Sequence, residues 1–196
     1  MTRTAHFSCR CGGVTGLLHD AAPAQVCHLV CYCRDCRAFA RHMDRMGALE
    51  PGGGSSLVQV LPARIEMSSG AQHIGCLRLS PKGLHRWYAT CCGSPLANTV
   101  GSSRMPLAGM WRPLFADPSI FGPVRVHGFV KSALSGQGAP TKDKGLAFML
   151  GGLIKRGLGA YMAGTARHSP FFDAAGAPVS VPHVLTGDER RAAYAD

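Results

Sequence analysis

Apolar residues fall in short runs over the first two thirds of the chain and change period near the end. The runs "GLLH" (16–19), "AQVCHLVCY" (24–32), "SLVQVLP" (56–62), "GCLRL" (75–79), "HRWYA" (85–89) and "VRVHGFV" (124–130) are separated by Gly, Pro and Ser. Runs of this length between turn residues predict strands. No strand-then-helix alternation is visible, so residues 1–135 read as one mainly β unit, sandwich or barrel-like rather than parallel. The segment "EPGGGSS" (50–56) lacks the Gly-Lys-Ser/Thr that a phosphate loop needs and reads as a flexible loop.

The pattern shifts at "LSGQGAPTKDKG" (134–145), which reads as a linker opening a C-terminal extension, residues 136–196. In "LAFMLGGLIKRGLGAYMAG" the apolar residues Leu146, Met149, Leu150, Leu153, Ile154, Leu158, Tyr161 and Met162 approach helical spacing. This predicts an amphipathic helix over about 145–163, docked on its own domain or, through Lys155 and Arg156, meeting a membrane surface or a second copy in a homodimer. Its internal glycines weaken the helix. Thr186 and Glu189 stand in capping-box spacing and predict a short terminal helix.

With 196 residues, 46% hydrophobic, the chain can bury one sizeable core. Nine cysteines are an odd count, in clusters too tight for ordinary bridges, and fit reduced thiols in the cytoplasm. The N-terminus lacks an apolar leader, and no run reaches the roughly 18 to 20 residues of a membrane span. The formal charge of +10 favours an anionic partner, although thiolate–zinc sites would lower it to about +7. The basic residues are scattered, which disfavours nucleic acid. Neither H-E-x-x-H nor G-x-S-x-G is present, and His127 on its probable strand reads as a packed residue.

The cysteines carry the specific signal. They stand as Cys9 and Cys11 in "SCRCGG", Cys31, Cys33 and Cys36 in "CYCRDCR", and Cys91 and Cys92 in "YATCCGSPL", with Cys27 and Cys76 alone. Thiolates two or three residues apart can converge on one ion, so three such clusters point to zinc, while Cys27 and Cys76 read as buried thiols.

These motifs, in order and spacing, resemble the glutathione-dependent formaldehyde-activating enzyme (GFA) family, which includes the centromere protein V domain. The resemblance spans about residues 5–130. It implies a small zinc-binding fold of curled sheets, shared with type-B methionine sulfoxide reductases, and two zinc ions. It also implies that Cys9, Cys11 and Cys92 are structural ligands and that Cys31, Cys33 and Cys36 supply three thiolates to a second, catalytic zinc. Two positions depart from the family pattern. Ala89 stands where the family has a ligand cysteine, and Tyr32 stands where it often has His. Cys91 is the substitute ligand if the backbone turns there; in an extended strand it would face away from Cys92 and could close the other site instead.

A three-thiolate zinc keeps a position for substrate. The implied activity is that of a carbon–sulfur lyase, an S-(hydroxymethyl)glutathione synthase-like enzyme joining glutathione to formaldehyde or another small aldehyde. Arg34, Arg37 and Arg41 are the candidate carboxylate anchors, with Lys82 and Arg86 as further ones. The competing reading is a noncatalytic zinc-stabilised module that binds a partner through its basic face and extension. An open three-thiolate site in a groove favours the enzyme; a four-thiolate site, or a groove plugged by 145–163, favours the module.

Overall fold

A computed structural model describes residues 3–195, which form two sheets and a few helices. The smaller sheet holds β1 (Ala5–Ser8), β2 (Thr15–Leu18) and β5 (Ile65–Ser69) in the order β1-β2-β5. The larger is built from β3 (Cys27–Cys31), β4 (Ser55–Val60), β6 (Ile74–Arg78), β7 (His85–Ala89), β8 (Ser94–Thr99), β9 (Ala108–Trp111), β10 (Val126–Gly128) and β11 (His183–Val184). Its order is β10-β3-β4-β9-β8-β7-β6-β11. Pairing is antiparallel except at the two ends, where β10 and β11 run parallel to β3 and β6. Every residue of β4 is buried, including the polar Ser55, Ser56 and Gln59, so the strand lies inside the sheet with both faces covered.

The core centres on Trp87, whose indole N–H donates to Thr99 Oγ1 at 2.9 Å. Phe171 stacks on its ring with centroids 5.0 Å apart, and Phe172 meets it edge-on at 5.8 Å. The chain beyond the linker therefore returns to the main core and adds β11 to the sheet edge.

Of the helices, α1 (Arg34–His42) was not expected, because the cysteine motif and its charges obscure the pattern. Cys36, Phe39 and Ala40 share one buried face, Asp35 sits in the first turn, and Arg41 and His42 sit in the last, matching the helix dipole. The amphipathic segment forms α2 (Leu146–Met162), and the terminal helix is α3 (Gly187–Tyr194) with its capping box formed. The latter packs on α1 through a cluster that includes Phe39, Leu77, Leu185 and Ala193. The loop at 50–56 is a packed turn rather than a loose one: Gly52 and Gly53 are buried, Leu134 N–H donates to Gly52 O, and β4 begins at Ser55.

Two predictions follow from the extension's packing. Phe171→Ala leaves a cavity against Trp87 and lowers unfolding stability by about 3–5 kcal/mol, read from denaturant midpoints; a change near zero would show that 171–172 is not part of the core. The Thr186 backbone N–H and hydroxyl, then His183, hold the Glu189 carboxyl at about 2, below its ordinary 4.5. The cap's contribution is thus complete above about 4.5 and lost as pH falls towards 2. The Tm difference between wild type and Glu189→Ala should be full at neutral pH and close over that acid range.

Candidate metal centres

Four thiols meet between the two sheets. The β1–β2 turn carries Cys9 and Cys11, and the β7–β8 turn carries Cys91 and Cys92; all four sulfurs lie within 4.8 Å of one another. Between individual sulfurs, Cys9–Cys11 is 3.6 Å, Cys9–Cys91 3.8 Å and Cys11–Cys91 3.3 Å. Sulfurs about 2.3 Å from one tetrahedral zinc lie about 3.8 Å apart, so the donor set fits one ion.

Backbone conformation brings both adjacent cysteines to one site. After β7 the chain turns, with Cys92 N–H and Gly93 N–H donating to Ala89 O, and Gly93 takes φ +68. That left-handed residue needs glycine's freedom. Across from it, a Cβ on Gly13 would sit 3.0 Å from Cys91 Sγ and 3.4 Å from Cys11 Sγ, so glycine there leaves room for the sulfurs. Cys91 therefore joins the first cluster, and Ala89 ends β7 without a ligand role.

The second cluster holds Cys31, Cys33 and Cys36, again within 4.8 Å, with Cys31–Cys33 at 3.4 Å. Cys31 ends β3, Cys33 caps α1 and accepts from Cys36 N–H at 3.4 Å, and Cys36 lies one turn into the helix. The positive end of the helix dipole thus faces the sulfurs. Three soft donors on one side of an ion are compatible with zinc or iron.

Each cluster already favours one thiolate. Hydrogen bonds from the Cys31 and Cys33 thiols hold Cys36 well below the usual thiol range, against burial and with help from Arg86. The donors are pushed up, Cys33 to about 12, where burial and Cys36 outweigh its bond with Cys31. In the first cluster, hydrogen bonds from Ser94 and the backbone overcome burial and hold Cys92 at about 6, while the bond with Cys11 pushes Cys91 up to about 12. Cys27 and Cys76 lie in neither cluster, and burial raises both thiols.

Cys31, Cys33 and Cys36 all line a cavity of about 480 Å³. Its wall is largely apolar, with Leu29, Leu57, Leu84, Leu107 and Phe129, and its polar groups include Gln59, Asn98, Asp35 and Arg86. Arg86 is only 2% exposed; its guanidinium lies 3.9 Å from both Cys36 Sγ and Asp35 Oδ2 and donates to Asn98 Oδ1 at 3.2 Å. Tyr194 O–H in turn donates to Asp35 at 2.7 Å, tying α3 to the mouth of the cavity.

Arg34, Arg37 and Arg41 are not among the lining residues. Arg34 lies over the Tyr194 ring, and Arg37 is buried on the other side of α1, donating to Ser132 O. Lys82 lies on an exposed turn. Sequence reasoning passed over Asn98, which lies in no motif, and Asp35, which sits unremarked inside the cysteine motif; strand pairing of β7 with β8 sets Arg86 opposite Asn98. Tyr32 is buried and stacks on His127 with centroids 6.2 Å apart, outside the lining.

Comparison with known families matches residues 1–181 to a family described as "Family of unknown function (DUF6151)". Among solved structures, a crystal structure of a Rhodobacter sphaeroides protein is similar, at 17% identity and a TM-score of 0.41, over 61% of this chain and 96% of that one. No curated protein matches.

The geometry predicts two metal ions per chain. Metal analysis of zinc-reconstituted protein should read two equivalents in wild type and in Cys76→Ser, and about one in either Cys91→Ser or Cys33→Ser. Loss of the first site should also lower Tm steeply, because it links two sheets. Two equivalents retained in Cys91→Ser would overturn the four-thiolate assignment.

Proposed function

The chain belongs to the DUF6151 family, whose function is unknown, and we propose that it is a zinc enzyme of the carbon–sulfur lyase type. It joins a thiol such as glutathione to formaldehyde or another small aldehyde at Cys31, Cys33 and Cys36. One observation carries this reading: three thiols face a cavity while Cys91, the candidate fourth ligand, is held in the other cluster. The cysteine pattern's resemblance to the GFA family supports it.

A zinc bound by three thiolates supplies an open position that lowers the pKa of a substrate thiol. The chain's own residues provide the surroundings. The apolar wall excludes water around a small aldehyde, and Arg86 and Asn98 offer donors to an oxygen that gains charge as the carbon–sulfur bond forms. The electron pair of the carbonyl bond moves to oxygen, which takes the proton given up by the thiol; nothing is oxidised or reduced. Asp35, the carboxylate among the described lining residues, is the group assigned to pass that proton. Of the candidate anchors, Arg34, Arg37, Arg41, Lys82 and Arg86, the role falls to Arg86, which lines the cavity. Among the described residues it is the one cation lining the cavity, so a thiol with an apolar body fits more directly than glutathione with two carboxylates.

A noncatalytic module is the second reading, favoured by the exposed apolar face of α2. No residue of α2 lines the triad's cavity, so the helix does not plug it.

The test is adduct formation from labelled formaldehyde, followed by NMR, with glutathione and with a thiol lacking carboxylates. Zinc-loaded wild type and Cys76→Ser should exceed the uncatalysed rate with at least one thiol, and Cys33→Ser should fall to it. A two-zinc protein no faster than the background with either thiol would overturn the enzyme reading.

A further inference from the structure

A second cavity, of about 1570 Å³, lies between α2 and the body of the protein, away from both cysteine clusters. Five cations line it: Arg3, Arg64 and Arg125 from the body, Lys155 and Arg156 from α2. No carboxylate is among the lining residues; Asp20 reaches Arg64 from outside at 3.5 Å. Arg156 donates to Gln59, and burial, with a smaller push from the charge of Arg64 and against the opposing influence of Cys27, holds its guanidinium below the ordinary value. The side chains of Arg3 and Lys155 make no hydrogen bond or ion pair among the described residues.

The α2 wall explains the glycines that weaken the helix. Gly151, Gly152 and Gly159 face the cavity, and a Cβ at Gly151 or Gly159 would meet nothing within 4 Å. Absent side chains are what open the space. Phe148 offers an apolar surface at one side, with Arg125 over its ring at 5.1 Å.

The geometry points to a binding site for a phosphate ester bearing an apolar or ring-shaped group. Five cations around one recess outnumber what a single carboxylate needs, and guanidinium forks match phosphate oxygens. The cations converge on one recess rather than running along an open basic stripe of the kind that tracks a nucleic-acid backbone. Two sources share this chemistry. One is a soluble phosphoester; the other is the headgroup of an anionic lipid, reached if the outward apolar residues Leu150, Ile154, Leu158 and Met162 of α2 meet a bilayer surface.

The experiment uses the zinc-loaded full chain. Calorimetric titration with ADP and with pyrophosphate tests the soluble source, and cosedimentation with phosphatidylcholine vesicles, with and without phosphatidic acid, tests the lipid source. Lys155→Glu reverses one unpartnered charge, and Gly151→Leu puts a bulky side chain at the cavity wall without altering charge while improving helix propensity. Binding in either arm, weakened at least tenfold by both substitutions with Tm preserved, supports the site, and the responding arm identifies the source. No binding in either arm overturns it. Binding weakened by Lys155→Glu but unchanged by Gly151→Leu also overturns it, since that pattern reports surface charge rather than the recess.

Discussion

The partition of seven thiols into four and three governs the rest of the structure. Cys11 and Cys91 are 80 residues apart in sequence, yet their sulfurs are 3.3 Å apart, and this contact joins the β1–β2 turn of the small sheet to the β7–β8 turn of the large one. A metal clip closing so long a loop removes much chain entropy from the unfolded state. The same contact draws Cys91 away from the triad. The four-thiol set at one cluster and the three-thiol set at the other are thus one geometric fact, set by the turn at Gly93.

Arg86 is the companion constraint. A buried cation is costly unless charges and hydrogen bonds surround it. Here Cys36, Asn98 and Asp35 do so, and the face of Phe39 lies 5.4 Å from the guanidinium carbon. Three thiolates around a divalent ion carry a net charge of about −1, which Arg86 balances. The arginine and the triad therefore stabilise one another, and Tyr194 extends the arrangement to α3 through Asp35.

How much of this was legible in the sequence differs by feature. The cysteine spacings were local and unambiguous, and the runs that became β3, β4, β6, β7 and β10 stood out because each is apolar and bounded by turn residues. The allegiance of Cys91 was not legible, since it depends on whether the backbone turns after Ala89. Nor was α1, whose nine residues show only one buried turn of apolar spacing among charges. Arg86 and Asn98 became a site through β7–β8 register, and Phe171 entered the core from beyond an apparent linker. These are long-range contacts, and no local propensity announces them.

The C-terminal extension shows why composition alone misjudges a segment. Its three parts do different physical work. Phe171 and Phe172 fill space beside Trp87, α3 braces α1 behind the triad, and α2 gives up side chains at Gly151 and Gly159 to leave a cationic recess open. A helix selected only for stability would place Ala or Leu at those positions. It would also turn its large apolar residues inward, whereas α2 buries only Ala160 and leaves Leu150, Ile154 and Leu158 outside. The helix is therefore shaped by what it leaves unfilled, and five of the chain's 21 lysines and arginines gather at the recess beside it.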